Sequence, residues 1–279
     1  MPDASLLTAI RSIVGDKGML TDPADTAAYS EDWRHLYRGK TAAVVRPGST
    51  EELAAVVKLC AESGTPVVPQ GGNTSMVGGA VPAEDGSELI LSTARLNRIR
   101  DLDTADMTLT IEAGVTLKAA QMAAAEAGCL LPLSISSEGT AQIGGVLAVN
   151  AGGNNTVRYG NARDLVLGLE VVLPDGSVWN GLRRLRKDNT GYCLRQLFVG
   201  AEGTLGLITA AVLKLAPQPK EVAVALCGVP TVAAALSLFT RFQAHDAASI
   251  SAFELMSGLG MSFVLRHIPG AALPLESAA

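Results

Sequence analysis

Three glycine-dense segments, each next to an apolar stretch, constrain this chain more than any other feature. They cover residues 67–82 (VVPQGGNTSMVGGAVP), 134–153 (SISSEGTAQIGGVLAVNAGG) and 199–209 (VGAEGTLGLIT). Because glycine has no side chain, backbone N–H groups in such loops can approach a ligand closely. One such loop predicts only a sharp turn, but three predict a groove lined by backbone for an extended anionic ligand.

Around these loops the sequence alternates predicted strands and helices. A capping box at residues 49–52 opens a helix whose apolar face is Leu53, Val56, Val57 and Cys60. Residues 107–113 alternate apolar and polar side chains, which predicts a half-buried strand. A hairpin is predicted across the Pro-Asp-Gly-Ser turn at residues 174–177. Helices together with antiparallel signals predict the α+β class.

After Pro219 the sequence pattern changes, and a new set of predicted strands and helices indicates the start of a second domain. Residues 222–227 and 249–255 are predicted strands. A predicted helix and a further helix over residues 257–266 complete the pattern; the apolar face of the first consists of Val232, Leu236, Phe239 and Phe242.

Composition and charge exclude several classes of protein. Net charge is −5, and the basic run at residues 183–187 is predicted to be a solvated loop, so no nucleic-acid partner is expected. Four scattered cysteines predict a reduced, cytoplasmic protein, and three histidines without ligand spacing predict no metal site. We expect neither a membrane span nor a secretory signal.

The usual nucleotide-binding signatures are missing from the sequence. Gly39-Lys40-Thr41 lacks the upstream glycine of a phosphate loop, and Gly258-Leu259-Gly260 is followed by Phe263 where a dinucleotide fold needs glycine. No lysine or arginine occurs in residues 70–82, so an anion there must be bound by N–H dipoles.

Four stretches in order resemble the FAD-binding domain of the vanillyl-alcohol-oxidase/PCMH superfamily, in its D-2-hydroxyacid dehydrogenase branch. They are VVPQGGNTSMVGGAVP, PLSISSEGTAQIGGVLAVNAGG, VRYGNARDLVLGLEVVLPDG and RKDNTGYCLRQLFVGAEGTLGLIT. The resemblance implies an α+β fold with a PCMH-type FAD-binding domain of two α/β subdomains at residues 38–217. A helical segment at 1–37 would precede it, and 218–279 would begin an α+β substrate (cap) domain.

The resemblance also implies which residues bind FAD. The first loop should hold the pyrophosphate and the second should flank pyrophosphate and flavin, with residues 150–153 by the ring system. The third should lie along the adenosine end, although Glu202 is nearly as well explained as a turn carboxylate. The implied residues are Pro69, Gln70, Gly71, Gly72, Asn73, Thr74, Ser75, Gly78, Gly79, Ser136, Ser137, Glu138, Gly139, Thr140, Gly144, Gly145, Asn150, Ala151, Gly152, Gly153, Glu202, Gly203 and Ile208.

Several positions depart from the family pattern. Asn73 stands where covalently flavinylated relatives have histidine, so non-covalent FAD is expected. Cys193 replaces the usual aspartate and Ala201 the usual serine, which removes a hydrogen bond at each without forbidding FAD. Cys129 is interpreted as a small core residue rather than a flavin tether.

The implied activity is oxidation of a D-2-hydroxyacid, such as D-2-hydroxyglutarate or D-lactate, to the 2-oxoacid by hydride transfer to flavin N5. A protein or quinone would then accept the electrons. The family's histidine motif for a divalent metal is not found here, so we expect a chain truncated within the cap, with catalytic residues outside it.

Two alternatives stay open. In the first alternative, the chain is a non-catalytic FAD-binding subunit. It would form a homodimer or would need a partner subunit to supply the cap function. Otherwise it is an NADPH-using reductase of enolpyruvyl sugar nucleotides, which the KDNTGY and EGTLG motifs disfavour.

Overall fold

The computed structural model describes residues 2–273 and residue 275. Its strands are β1 (Met19–Leu20), β2 (Val44–Val45), β3 (Val67–Gln70), β4 (Leu89–Ser92), β5 (Ile99–Asp103), β6 (Thr108–Glu112), β7 (Cys129–Leu130), β8 (Val166–Val172), β9 (Val178–Gly181), β10 (Leu207–Lys214) and β11 (Ala216–Pro217). Its helices are α1 (Ala4–Val14), α2 (Pro23–Thr26), α3 (Thr50–Ser63), α4 (Leu117–Glu126), α5 (Ile143–Ala148), α6 (Thr156–Tyr159), α7 (Ala162–Leu165), α8 (Arg195–Phe198), α9 (Val232–Asp246) and α10 (Gly258–His267).

The chain divides into two compact units. The first contains Met1–Gly153 and Gly160–Gln218, and the second contains Asn154–Tyr159 and Pro219–Ala279. The boundaries predicted at residues 38 and 218 stay predictions, and residues 1, 274 and 276–279 of the outer segments lie outside the described residues.

The first sheet of the first unit has the order β1-β2-β4-β3, with β2, β4 and β3 parallel. The predicted helix α3 packs beside it. It begins at Ser49, whose Oγ accepts a hydrogen bond from the N–H of Glu52 at 3.2 Å, and it ends at Gly64 in the left-handed region. Its predicted apolar face is buried, which confirms the spacing argument.

The second sheet has the order β5-β6-β10-β8-β9 and is antiparallel throughout. It contains the predicted hairpin, β8–β9. A parallel layer joined to an antiparallel one, each with helices, confirms the α+β class. The prediction of a half-buried β6 is wrong, because all of its residues are buried.

Buried carboxylates explain the second covered face of β6. Glu112 is 0% exposed and contacts Arg98 at 2.9 Å and Arg100 at 3.1 Å. Arg100 also contacts Glu170 at 3.0 Å, and the hydroxyl of Thr50 donates to Glu170 at 2.7 Å. Since Thr50 begins α3, this network connects the helix of the first sheet to the second sheet.

The basic run at residues 183–187 is largely exposed, as the predicted solvated loop would be, and two of its arginines make contacts with the second sheet and its β5–β6 turn. The Arg184 guanidinium is paired with Asp101 and lies 3.6 Å from Asp103. Arg186 donates to the backbone oxygens of Asp106 and Met107. These contacts join the loop to the edge strand β5 and to the turn between β5 and β6.

Helices are the main regular elements among the described residues of the second unit. The predicted helices are confirmed as α9 and α10, and the rings of Phe239 and Phe253 lie 4.8 Å apart. The predicted strands at residues 222–227 and 249–255 are wrong: neither segment forms a strand. Among this unit's described residues there is no neighbouring strand to pair with them, and a lone strand leaves its backbone groups unpaired.

Candidate functional site

The three glycine loops meet at one cleft in the first unit. It lies where β3 and β4 end, next to α5 and the start of β10. The predicted residues that line it are Pro69, Gln70, Gly71, Gly72, Asn73, Thr74, Ser75, Gly79, Ser137, Gly144, Gly145, Ala151, Glu202, Gly203 and Ile208. The structure thus brings together parts of all three loops.

The other predicted residues are outside the lining of the cleft. Glu138 accepts hydrogen bonds from Lys118 at 3.1 Å and Gln121 at 2.9 Å, and these bonds lower the pKa of its carboxyl below the usual range. Asn150 accepts from the N–H of Arg163. Those that do not line the cleft are Gly78, Ser136, Glu138, Gly139, Thr140, Asn150, Gly152 and Gly153.

Sequence reasoning missed part of the lining. Thr93 follows β4, whose carboxyl end lies beside that of the parallel strand β3, and this pairing is the signal that could have found it. Its hydroxyl donates to Gln142 Oε1 at 2.8 Å. Phe198, at the end of α8, carried no such signal. The unpredicted lining residues are Ala80, Thr93, Ile135, Ala141, Gln142, Val146, Ala148, Val149, Phe198, Gly206 and Leu207.

The first loop presents a run of unused backbone donors. Within the described part of the chain, the N–H groups of residues 71–75 donate no hydrogen bond, and all of these residues line the cleft. Asn73 in this run has φ +50°, a left-handed conformation of the kind that turns successive N–H groups toward an anion. Unpaired backbone donors are uncommon in proteins, so this run favours an external acceptor.

The side chain of Asn73 anchors this loop. Its Nδ2 donates to the backbone oxygens of Ala28 at 3.3 Å and Glu31 at 2.8 Å. The position that would carry histidine for a covalent flavin therefore carries an amide that fixes the loop.

Glycine serves two different purposes around the cleft. A Cβ on Gly72 would lie 2.0 Å from the carbonyl oxygen of Thr140, and one on Gly153 would lie 1.7 Å from that of Ser134. These glycines let protein backbones pack together. A Cβ on Gly145 would have no atom within 4 Å. Gly145 therefore leaves open space beside the cleft, into which a bound group can extend.

Charge in the cleft is sparse. Among the described lining residues, Glu202 alone carries a charged side chain. It has φ +51°, and its N–H donates to the oxygen of Ala148 at 2.9 Å. The carboxylate caps no backbone N–H among the described residues, which counts against the turn interpretation. Its Oε2 lies 3.6 Å from where a Cβ on Gly79 would be, so Glu202 reaches the first loop.

These features fit FAD. The free N–H run suits a pyrophosphate held by dipoles, as expected for a site without cations. The open space at Gly145 and the apolar lining from Ile135, Val146 and Val149 suit a flat ring system. Among the described residues, no cluster of His, Cys, Asp and Glu could hold a metal ion, and no helix is long and apolar enough to span a membrane.

Known proteins share both the sequence and the fold of this region. The family described as "FAD binding domain" matches residues 41–181. An alkyldihydroxyacetonephosphate synthase has a TM-score of 0.71 at 22% identity, over 79% of this chain and 42% of its own. At that identity the likeness shows the fold alone.

Three curated relatives are similar over nearly the whole chain. The mitochondrial D-2-hydroxyglutarate dehydrogenase of Bos taurus is 42% identical over 97% of this chain and 49% of its own length. A putative mitochondrial D-lactate dehydrogenase of Schizosaccharomyces pombe is 40% identical over 95% and 51%. The D-2-hydroxyglutarate–pyruvate transhydrogenase DLD3 of Saccharomyces cerevisiae is 36% identical over 99% and 55%. The chain spans about half the length of these relatives.

The relatives correct one expectation from the sequence. The cytoplasmic location predicted from the scattered cysteines is contradicted by these relatives. Those from cattle, rat and fission yeast are mitochondrial proteins. Free thiols are compatible with any reducing compartment, so cysteine usage could not separate the two.

The family match covers the first two glycine loops of the cleft, and the fold comparison agrees with it. FAD is accordingly the cofactor of this fold. The chain belongs to the family of PCMH-type FAD-binding domains.

Proposed function

We propose that this chain is the FAD-binding part of a dehydrogenase that oxidises a D-2-hydroxyacid, such as D-2-hydroxyglutarate or D-lactate, to the 2-oxoacid. The activities after which the similar proteins are named support this reaction class. Because the relatives are about twice as long as the matched region, we place the substrate-binding residues in the other half of the whole protein, with residues 218–279 at its beginning.

The observation that carries the proposal is the run of free N–H groups at residues 71–75, which line a cleft without cations. These groups donate to the FAD pyrophosphate, and the hydroxyls of Thr74 and Ser137 add further donors. Gly145 leaves room for the flat ring beside the backbone. When bound there, FAD supplies a two-electron acceptor for the hydroxyacid. The residues of this chain bind and orient the cofactor and exclude water from it.

The attachment of FAD, the electron acceptor and the assembly of the chain complete the proposal. FAD is held non-covalently, since Asn73 offers an amide where a histidine tether would stand. The electrons pass to a protein or quinone acceptor, and the chain acts as a homodimer or with a partner subunit.

Absorbance spectroscopy tests the proposal. The purified chain should show the two visible bands of a flavin, and acid precipitation should release the flavin into solution. Anaerobic addition of D-2-hydroxyglutarate or D-lactate to the whole protein should bleach the visible bands, and the L-isomers should not. Protein that stays colourless after incubation with FAD contradicts the binding site.

The same experiment separates the second candidate. A yellow protein that neither D-acid bleaches supports an FAD-binding subunit whose substrate residues another chain supplies. The half-length match to the relatives favours keeping this candidate.

A further inference from the structure

Arg163, on the short helix α7, donates side-chain hydrogen bonds to the backbone at the end of α8. Its Nη1 donates to the backbone oxygen of Gln196 at 2.7 Å and to Gln196 Oε1 at 3.0 Å. Its Nη2 donates to the backbone oxygen of Val199. Helix α8 ends at Phe198, and the last carbonyls of a helix have no partner within it. The guanidinium satisfies these carbonyls where the third glycine loop begins.

The backbone around Arg163 holds the second glycine loop. The N–H of Arg163 donates to Asn150 Oδ1 at 2.9 Å, and the N–H of Ala162 donates to the oxygen of Ala151, also at 2.9 Å. Asn150 has φ +50°, and Ala151 lines the cleft. Helix α7 therefore binds the second loop through its backbone N–H groups and the start of the third loop through the Arg163 side chain.

The third loop also bonds directly to the end of α5. The N–H of Gly200 donates to the oxygen of Leu147 at 3.1 Å, and that of Glu202 to the oxygen of Ala148 at 2.9 Å. A Cβ on Gly200 would lie 2.9 Å from Arg163 Nη2, so the glycine makes room for the guanidinium. Phe198, beside the acceptors of Arg163, lines the cleft, and Arg163 itself does not.

We propose that Arg163 is a positioning residue for the cleft. By fixing the second and third loops relative to each other, it sets the affinity for FAD without contacting FAD. This inference rests on the proposed cofactor site. Arginine suits the role because its planar fork can donate to acceptors that lie in different directions. Lysine has all three of its N–H donors on one nitrogen, so it lacks the fork by which separate guanidinium nitrogens reach the carbonyls of Gln196 and Val199.

Variants of Arg163 test the inference. In Arg163→Lys and Arg163→Ala, the dissociation constant for FAD should rise about tenfold, because each loses charge-assisted hydrogen bonds that hold the loop. Titration of apoprotein with FAD, followed by flavin fluorescence, measures it. Arg184→Lys is the matched control: Arg184 pairs with Asp101, and neither residue lines the cleft, so the FAD dissociation constant should change less than about twofold.

Hydrogen–deuterium exchange distinguishes positioning from a merely structural role. In Arg163→Lys, the amides of residues 199–206 should exchange faster, while those of β8 and β10 keep their wild-type rates. A variant whose apoprotein melts at a lower temperature but binds FAD with the wild-type constant overturns the proposal. If Arg163→Ala does not fold, the lysine variant decides. A wild-type protein that binds no FAD overturns the cofactor site itself, and the Arg163 inference with it.

Discussion

Gly72, in the first glycine loop, and Gly145, in helix α5, line the same cleft but have different surroundings. A Cβ on Gly72 would lie 2.0 Å from the carbonyl oxygen of Thr140, whereas a Cβ on Gly145 would have no atom within 4 Å. The first loop has glycine so that it can pack against the second, and α5 has glycine so that space stays open. A glycine-rich motif thus combines positions that build a site with positions that leave room for its ligand.

The largest expected effect is that of Gly72→Ala. Because the new methyl group collides with backbone rather than with a flexible side chain, we expect the free energy of unfolding to fall by about 3 kcal/mol or more. Urea unfolding of the apoprotein measures this. Gly71→Ala is the control, since its Cβ would make only ordinary contacts, at 3.5 Å or more. Equal stability of the two variants would remove the distinction between packing and open glycines.

Gly145→Val is expected to act on the ligand and not on the fold. The valine side chain would extend into open space, so the FAD dissociation constant should rise about a hundredfold while stability stays within about 1 kcal/mol of wild type. Gly145→Ala sharpens this, because alanine favours a helix by about 1 kcal/mol over glycine and should raise stability while it weakens FAD binding. Wild-type affinity in the valine variant would show that FAD does not lie against α5.

Acid should act on the scaffold rather than on the glycine loops. Burial raises the pKa of Glu112 and of Glu170, but hydrogen bonds from Arg98, Arg100 and Thr50 outweigh it and hold both pKa values below the ordinary range. Carboxyls with a depressed folded-state pKa stabilise the fold above their unfolded value, and this stability is lost as the pH falls through the folded value. Stability should therefore decline below about pH 4.3, the usual value for glutamate.

Circular dichroism and flavin absorbance recorded together during acid titration check this prediction. FAD release should coincide with unfolding. In Glu112→Gln the acid dependence should be weaker, and stability at neutral pH should be lower by about 1–3 kcal/mol, because two arginines lose a charged partner. FAD release well before unfolding would place the titrating groups in the cleft instead.

The smallest expected effect is that of Glu202→Gly. Glu202 has φ +51°, a region that costs a non-glycine residue about 1 kcal/mol or more. Glycine at this position should raise the unfolding free energy by about 0.5–1 kcal/mol, whereas Glu202→Gln should leave it unchanged. Thermal melting of the apoprotein compares the two, and a glycine variant no more stable than the glutamine variant would show that the backbone there is unstrained.

Local signals predicted the fold well where they were sufficient. The capping box at residues 49–52 and the spacing of Leu53 to Cys60 determine α3 without help from distant residues. The second buried face of β6 could not be predicted, because its partners, Arg98, Arg100 and the loop at 182–188, approach through tertiary structure. Residues 222–227 and 249–255 form no strand, which shows that β propensity without a pairing partner is not enough to form one.

The sequence indicated which loops line the cleft but not what surrounds each glycine within them. Most of the first loop lines the cleft, and its N–H run agrees with a site that works through dipoles, while the assignment of these residues to FAD stays a prediction. The sequence could not show that Gly72 faces Thr140 while Gly145 faces space, since both are simply glycines in a motif. Phe198 and Arg163 were missed for the same reason: their importance depends on segments that meet only in the folded chain.

Hydrogen–deuterium exchange of the first loop, with and without FAD, shows whether its free N–H groups bind the cofactor. A peptide covering residues 69–76 reports on the amides of 71–75, which have no acceptor within the described residues. We expect fast exchange in the apoprotein and protection of about tenfold or more when FAD is bound, while amides of the second sheet stay unchanged. If FAD binds but the amides of residues 71–75 exchange equally fast in the apoprotein and in the complex, these groups do not hold the cofactor.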